Sequence, residues 1–193
     1  MESYISTYLQ ETVKIAESIN KNDISSFINH LKTVKSNKGR LFILGIGGSA
    51  GNASHAVNDF RKIAGIESYA PTDNVSELTA RINDESWDTV FSHWLATSNL
   101  NSKDALLVFS VGGGSKNTSY NLVKAMEYAQ SKNAKILSIV SRSGGSAKEL
   151  SDACVLIPVV DESRITPHAE GWQAVVWHLV VNALYMPINH ESI

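Results

Sequence analysis

The stretch that decides the fold runs from Leu106 to Asn117, LLVFSVGGGSKN, where an apolar run breaks into three glycines and a serine. Nearly the same pattern occurs from Leu41 to Asn52, LFILGIGGSAGN, and a weaker third copy runs from Ile136 to Ala147, ILSIVSRSGGSA. A continuous apolar run is typical of a strand that is buried on both faces of a parallel sheet. The repetition therefore predicts parallel strands that each end in a loop of glycine and serine.

Helical patterns separate these strands. Apolar spacing predicts a helix from about Ala50 to Ala64, and a closing helix with Thr166 as its N-cap and Pro167 in its first turn. Strands that alternate with helices form a parallel sheet joined by helical crossovers. We expect an α/β fold of the flavodoxin-like kind, a three-layer sandwich around a five-stranded parallel sheet. The five predicted strands are RLFILGI, IESYAP, ALLVFSV, KILSIVS and CVLIPVV.

The chain begins with two further helices, which break at NKND. Their apolar residues need a surface to cover, either on the same domain or on a second subunit. The length of 193 residues suits one domain. We therefore expect a single domain over 1–193, with N-terminal helices over 1–37 and the α/β core over 38–193.

Composition excludes several classes of function. The net charge of −2 gives no reason to expect nucleic acid or an anionic membrane as a partner. The N-terminus lacks a signal-peptide pattern, and no apolar stretch is long enough to span a bilayer, so the expected location is the cytoplasm. The single cysteine, Cys154, lies in an apolar stretch and is expected to be an inert core thiol.

The glycine-rich loops predict a binding site for an anion. In parallel α/β sheets, ligands lie beyond the carboxyl ends of the strands, where these loops fall. Glycine lets backbone N–H groups approach a ligand, and a helix that starts just afterward adds a partial positive charge. We expect Ser49, Ser110 and Ser115, with neighbouring amides, to bind an oxyanion such as phosphate.

Two nucleotide-binding motifs compete with this interpretation. The sequence GIGGSA at 45–50 matches a dinucleotide-binding fingerprint, and Glu67 falls where a ribose-binding acid would lie. A single match of this kind is weak. Neither loop has the Gly-Lys-Ser/Thr sequence of nucleotide hydrolases, which argues against ATP or GTP hydrolysis.

Two helices carry a second polar pattern. His55 and Asp59 are four residues apart, so they lie on one helix face, and the closing helix carries Glu170, Gln173 and His178. Such a set can hold a divalent metal or serve as acid and base. For either pair alone, a solvated or hydrogen-bonded helix face is the favoured interpretation. The remaining histidines, which we expect to be structural or solvated, are His30, His93, His168 and His190.

Three stretches together resemble the SIS (sugar isomerase) domain. They are GIGGSAGNASHAVNDF at 45–60, NDESWDTVFS at 83–92 and LLVFSVGGGSKN at 106–117. Within that family the chain is most similar to phosphoheptose isomerases, which convert sedoheptulose 7-phosphate into D-glycero-D-manno-heptose 7-phosphate. The resemblance runs from about Gly39 to Leu184. It implies a flavodoxin-like fold and a homotetramer whose active sites lie between subunits.

The resemblance also implies roles for particular residues. Asp59 or Glu170 would be the base that moves a proton through an enediol, and His178 would be the acid or base at the oxygens. Asp84 would bond to sugar hydroxyls, and Arg61 or Lys62 would reach a neighbouring subunit's ligand. Zinc would be held by His55, Asp59, Glu170 and His178, and the substrate would be bound by Gly47, Gly48, Ser49, Ser110, Gly112, Gly113 and Ser115.

Several positions depart from the family pattern. Asp59 stands for the usual Glu, and Glu170 for the usual Gln, with Gln173 as a competing candidate. Val111 and Gly112 replace the usual Ser/Thr of the phosphate loop, and an Asn of the first loop is Ile46. These changes indicate a divergent subgroup. The alternative hypothesis is a SIS protein that binds a phosphosugar or regulates a partner without catalysis.

Overall fold

The computed structural model describes residues 1–185; His190 lies outside the described residues. Thirteen helices and strands follow one another in the described chain, together with short 3₁₀ turns at Pro71–Asp73 and Glu162–Arg164. The helices are α1 Glu2–Ser18, α2 Lys21–Ser36, α3 Gly48–Lys62, α4 Val75–Asp84, α5 Val90–Thr97, α6 Tyr120–Ser131, α7 Gly145–Leu150 and α8 Ile165–Tyr185. The strands are β1 Leu41–Leu44, β2 Ser68–Tyr69, β3 Ala105–Phe109, β4 Lys135–Val140 and β5 Ala153–Leu156.

The five strands form one parallel sheet in the order β2-β1-β3-β4-β5. The predicted five-stranded α/β fold is therefore confirmed. This order is that of flavodoxin-like folds, in which the chain direction across the sheet reverses between β1 and β3. Ligands bind at that reversal point, beyond the carboxyl ends of the two strands. The loops that follow β1 and β3 are the two glycine-rich copies.

The apolar runs are explained by a separate core on each face of the sheet. In β1, Leu41 and Ile43 enter the core beneath α2, α3 and α8, whereas Phe42 and Leu44 enter the core beneath α5 and α6. Successive residues of a strand point to opposite faces, so a strand covered on both sides has no polar position. The same alternation in β3 accounts for ALLVF. Among residues 1–185, no helix is long and apolar enough to cross a membrane.

The two leading helices differ in how they are buried. Helix α2 packs against β5 and α8 and buries Phe27 and Leu31 completely. Helix α1 buries only Glu11 and Ile15. Its other apolar side chains are exposed, namely Tyr4, Ile5, Leu9 and Val13. Such a stripe is a candidate interaction surface.

An ionic cluster attaches α1 to the start of α8. The Glu11 carboxylate accepts two hydrogen bonds from Arg164, at 2.9 and 2.7 Å, and lies 2.8 Å from Nε2 of His168. Tyr8 stacks on the His168 ring with centroids 4.5 Å apart. Hydrogen bonds from Arg164 and His168 lower the pKa of Glu11 to about 2. His168 thus has the structural role that the sequence predicts.

The start of α8 corrects one prediction. Thr166 is not the N-cap, because α8 already begins at Ile165, directly after the 3₁₀ turn. Asp161 caps the 3₁₀ turn that precedes α8: its carboxylate accepts the N–H of Ser163 at 2.8 Å. Pro167 falls in the first turn of α8, where its missing N–H breaks no helical bond. In β5, burial raises the pKa of the Cys154 thiol, which agrees with an unreactive cysteine.

Candidate active site

A cleft of about 510 Å³ opens between the loops that follow β1 and β3. It lies at the carboxyl edge of the sheet, where the order of strands reverses. The residues that line it are Ile46, Ser49, Phe109, Ser110, Val111, Gly112, Thr118, Ser119, Arg142 and Thr166. Nearly all are apolar or neutral hydroxyl residues, so hydrogen bonds from hydroxyl and backbone groups dominate the lining.

Two helix N-termini border this cleft. Helix α3 begins at Gly48, and the residue before it, Gly47, has a φ of 63°, which side chains rarely adopt. Helix α6 begins at Tyr120 after Ser119. The first amides of a helix have no partner within the helix and carry a partial positive charge. The cleft is therefore suited to an anion such as phosphate.

The third glycine-rich copy packs against the second. The N–H of Ala147 donates to the carbonyl of Gly113 at 2.9 Å, and that of Ser146 to Gly114 at 3.0 Å. A Cβ atom on Gly113 would lie 1.8 Å from the carbonyl oxygen of Gly144, so only glycine fits at this contact. The loop after β4 is thereby held beside the cleft, and it brings Arg142 into the lining.

Sequence reasoning gave Arg142 no role. The available signal was the third copy itself, SRSGG at 141–145, whose position on the neighbouring strand makes its loop the natural neighbour of the second loop. Thr118, Ser119 and Thr166 also line the cleft without having been predicted to do so.

Some of the predicted substrate-binding residues line the cleft and others do not. Ser49, Ser110 and Gly112 line the cleft, with Gly47, Gly48 and Gly113 beside them in the same two loops. Ser115 lies outside the lining, and its Oγ accepts the N–H of Asn117 at 3.2 Å. Asp84 lies exposed at the end of α4, hydrogen-bonded by Asn83.

Arg61 and Glu67 lie away from the cleft. Arg61 donates to the carbonyl of Ser68 at 3.0 Å and stacks over Tyr69. The carbonyl of Glu67 accepts the N–H of Leu41, the first residue of β1, which puts Glu67 at the amino edge of the sheet. A ribose-binding acid belongs at the opposite, carboxyl edge. The dinucleotide alternative therefore lacks its acidic residue.

The structure brings together three of the four predicted metal ligands. His55, Asp59 and His178 offer ligand atoms that all lie within 4.8 Å of one another. Oδ2 of Asp59 lies 3.8 Å from Nε2 of His55 and 3.7 Å from Nε2 of His178. Helices α3 and α8 pack against each other, which sets this arrangement.

Hydrogen bonds orient these groups toward one point. Nδ1 of His178 lies 2.7 Å from the carbonyl oxygen of Ala174. Because a carbonyl oxygen can only accept, Nδ1 is the donor of this hydrogen bond. In the neutral ring the lone pair is therefore on Nε2. Asn58 donates to Oδ1 of Asp59 at 2.7 Å, which leaves Oδ2 toward the histidines. The ring of Trp177 stacks on His178 and meets His55 edge-on, with centroids 3.5 and 4.8 Å apart.

This donor set fits zinc. Catalytic zinc sites use three nitrogen or oxygen ligands and keep a fourth position open. In such a site neighbouring ligand atoms lie about 3.3 Å apart. Oδ2 of Asp59 lies 3.7 and 3.8 Å from the two histidine nitrogens, and the three ligand atoms lie within 4.8 Å of one another, so rotation of side chains would bring them onto an ion. Asp59 is 8% exposed, and a buried carboxylate needs a compensating cation or donors.

Glu170 lies outside this group of three. Its carboxylate lies against Gly48, where a Cβ atom would be 2.5 Å from Oε2. Gln173 is fully buried, and its Oε1 accepts hydrogen bonds from Ser49 and Asn52, both at 3.0 Å. Glu170 therefore adjoins the first loop, whereas Gln173 braces α8 against the start of α3.

Comparison with known proteins agrees with this fold. A family model described as SIS domain matches residues 4–141. A phosphoheptose isomerase from Helicobacter pylori strain P12 is 27% identical over 189 residues, covering 95% of this chain and 92% of the relative. One from Rhodospirillum rubrum is 30% identical over 147 residues, covering 74% and 73%. The solved phosphoheptose isomerase from Neisseria gonorrhoeae has a TM-score of 0.81 at 22% identity, covering 95% of this chain and 97% of that one.

The match to the family covers more than half of the chain, and it includes both glycine-rich loops and the histidine of α3. The closing helix, which contributes His178, follows the matched residues but falls within the length shared with the relatives. The chain belongs to the SIS domain family.

Proposed function

We propose that this protein is an aldose–ketose isomerase that converts sedoheptulose 7-phosphate into D-glycero-D-manno-heptose 7-phosphate. The observation that carries the proposal is that His178 of α8 meets His55 and Asp59 of α3. The N-terminus of α3 borders the anion-binding cleft. The named activity of the relatives supports the choice of substrate. A cleft for the phosphate and a cluster of acid–base groups are the two parts that this reaction needs.

The phosphate occupies the cleft and orients the rest of the sugar. Hydroxyls of Ser110, Thr118 and Ser119 and the first amides of α3 and α6 bind its oxygens. Binding of this non-reacting group positions C1 and C2 beside the His55–Asp59–His178 cluster. Energy from a remote group thus goes into orientation of the reacting carbons.

A carboxylate moves the proton between the two carbons. Asp59 or Glu170 removes the proton from C1 of the ketose, giving an enediol, and returns it to C2 to give the aldose. Nε2 of His178 carries the lone pair that accepts the proton of the O1 hydroxyl, and the resulting imidazolium donates a proton at O2. The stacked ring of Trp177 keeps that imidazole in place.

Zinc fits this site and belongs to the proposal. His55, Asp59 and His178 would hold the ion through the atoms that already converge. With the ion bound, Nε2 of His178 and Oδ2 of Asp59 would be occupied, so Glu170, which lies outside this group of three, would be the base that moves the proton. When bound, zinc supplies a Lewis acid that polarises the carbonyl and stabilises the enediolate.

We further propose a homotetramer in the cytoplasm, where charged sugar phosphates are retained by the membrane barrier. The exposed stripe of Tyr4, Ile5, Leu9 and Val13 on α1 supports a role for this helix in assembly. Apolar side chains on a helix with few buried residues are stabilised when a second subunit covers them.

The experiment is turnover of sedoheptulose 7-phosphate by the purified protein, followed by NMR of the anomeric protons. We expect conversion by the wild type and its loss in Asp59→Asn and His178→Ala. The control is His93→Ala, since His93 pairs with Glu85 away from the site. Tight binding of the phosphosugar without turnover by the wild type would instead support the non-catalytic SIS alternative.

A further inference from the structure

We propose that Arg142, on the loop after β4, is the cation that recognises the phosphate of the substrate. This inference deepens the proposed function and rests on it. It assigns a specificity-determining residue to the cleft, which otherwise offers only neutral donors.

Arg142 brings a positive charge to the cleft. Among the described residues that line the cleft, Arg142 is the only charged one, and no carboxylate accompanies it. Within residues 1–185 the Arg142 guanidinium takes part in no ion pair. A cation without a carboxylate partner at the mouth of an anion-binding cleft is free to pair with a ligand. Its planar fork of donors matches the oxygens of a phosphate monoester.

The loop after β4 fixes the position of Arg142 beside the cleft. The backbone of Arg142 has a φ of 54°, an uncommon conformation for a residue with a side chain. Hydrogen bonds hold the loop in this shape: the N–H of Ser141 donates to Val111, and that of Gly144 to Ser141, both at 3.0 Å. The Cδ atom of Arg142 lies 3.9 Å from where a Cβ on Gly112 would be. The side chain therefore lies over the loop that binds the phosphate.

The hydroxyl groups of the cleft are neutral donors, and not all of them are available to a phosphate. The Ser49 hydroxyl donates its hydrogen to Gln173, so it has none left for a phosphate oxygen in this arrangement. Val111 and Gly112, the next residues of the loop, carry no hydroxyl. The other hydroxyls of the lining are those of Ser110, whose Oγ accepts the N–H of Gly113 at 3.1 Å, and of Thr118, Ser119 and Thr166. Arg142 adds a charged donor to these neutral ones.

The test measures binding of inorganic phosphate and of sedoheptulose 7-phosphate to the purified full-length protein by calorimetry. The variants are Arg142→Gln and Arg142→Lys. The matched control is Lys116→Gln, because Lys116 is an exposed cation near the same loop that does not line the cleft. Arg142 is exposed, so we expect these variants to keep the thermal midpoint of the wild type.

We expect Arg142→Gln to weaken both ligands by about ten- to a hundredfold, the range for a hydrogen bond to a charged group. Arg142→Lys should restore part of the affinity, and Lys116→Gln should change it less than about twofold. In turnover, kcat/KM should fall: KM rises because the phosphate is bound less tightly, and kcat falls to the extent that phosphate binding orients the reacting carbons. The affinity of Arg142→Gln should also depend less on salt than that of the wild type.

The outcomes separate the two proposals. If the wild type isomerises the sugar and Arg142→Gln keeps its phosphate affinity and KM, the inference about Arg142 is overturned while the proposed function stands. If Arg142→Gln loses phosphate affinity but the wild type shows no turnover, the phosphate site stands and the isomerase proposal fails. An equal loss in Lys116→Gln would also overturn the inference, since general loop charge would then explain the binding.

Discussion

Nε2 of His178 lies 3.7 Å from Oδ2 of Asp59, across the packed helices α8 and α3. The other oxygen of Asp59 is taken by Asn58, and the other nitrogen of His178 is taken by a backbone carbonyl. Each side chain is therefore fixed through one polar atom, while its second polar atom, Oδ2 of Asp59 or Nε2 of His178, faces the other residue. Neighbours that fix a ligand in this way are typical of metal sites, where they set both ring orientation and basicity.

Removing the charge of Asp59 should abolish metal binding. In Asp59→Asn the side chain keeps its size, but the two imidazoles lose the anion between them. We expect zinc content, measured by plasma emission spectrometry after reconstitution, to fall from about one ion per chain to near zero. Activity should fall by about two orders of magnitude or more. His93→Ala should retain the wild-type zinc content; retention of full zinc in Asp59→Asn would contradict the assignment.

Gly48→Ala should affect catalysis rather than folding. An added Cβ would meet the Glu170 carboxylate at 2.5 Å, and the flexible end of that side chain can move away. We expect the thermal midpoint to change little, because Gly48 is the first residue of α3 and its φ is not in the left-handed region, while kcat falls because Glu170 is displaced. Gly51→Ala on the same helix is the control, because nothing lies within 4 Å of its Cβ position.

The cause of the lower kcat in Gly48→Ala can be tested by combining this substitution with Glu170→Ala. If displacement of Glu170 is the cause, Gly48→Ala should cost little further activity in a Glu170→Ala protein. Equal losses of kcat in both backgrounds would show that the methyl group disturbs the cleft itself.

Glu11 should make stability depend on pH in the acid range. Its folded-state pKa is about 2, below the ordinary value of 4.5, so the ionised form stabilises the folded state. That stabilisation is complete above about pH 4.5 and is lost as the pH falls toward 2. In urea titrations, the free energy of unfolding of the wild type should fall more steeply over this window than that of Glu11→Gln. Parallel curves for the two proteins would rule out the role of Glu11.

The apolar stripe on α1 should control assembly. Leu9→Lys places a charge in the middle of the exposed stripe, so we expect light scattering to show a species smaller than the tetramer proposed for the wild type. Gln10→Lys, one residue along the exposed surface of the same helix but outside the stripe, should leave the mass unchanged. An unchanged mass in both variants would exclude this face from the interface.

Much of the fold follows from local pattern. The strand from Leu41 to Leu44 is apolar at every position because it is covered on both faces, and that pattern is visible in the sequence. His55 and Asp59 share a helix, so their proximity follows from their spacing. The approach of His178 depends on packing between distant elements, and family resemblance supplied it before the structure did.

Other features depend on contacts that spacing cannot reveal. Arg142 reaches the cleft because the carbonyl of Gly144 lies where a side chain on Gly113 would be, a contact between two separate loops. Glu170 lies against Gly48 because α8 and α3 pack at this height. In each case the deciding partner is far away in the sequence.

Helix α3 begins at the phosphate cleft and carries His55 six residues beyond Ser49. At a rise of about 1.5 Å per residue, the two positions are separated by about 9 Å along the helix axis. In the proposed reaction, this fixed separation sets the distance between the phosphate and the reacting carbons. We expect phosphosugars with fewer carbons between those groups to bind in the cleft without being turned over.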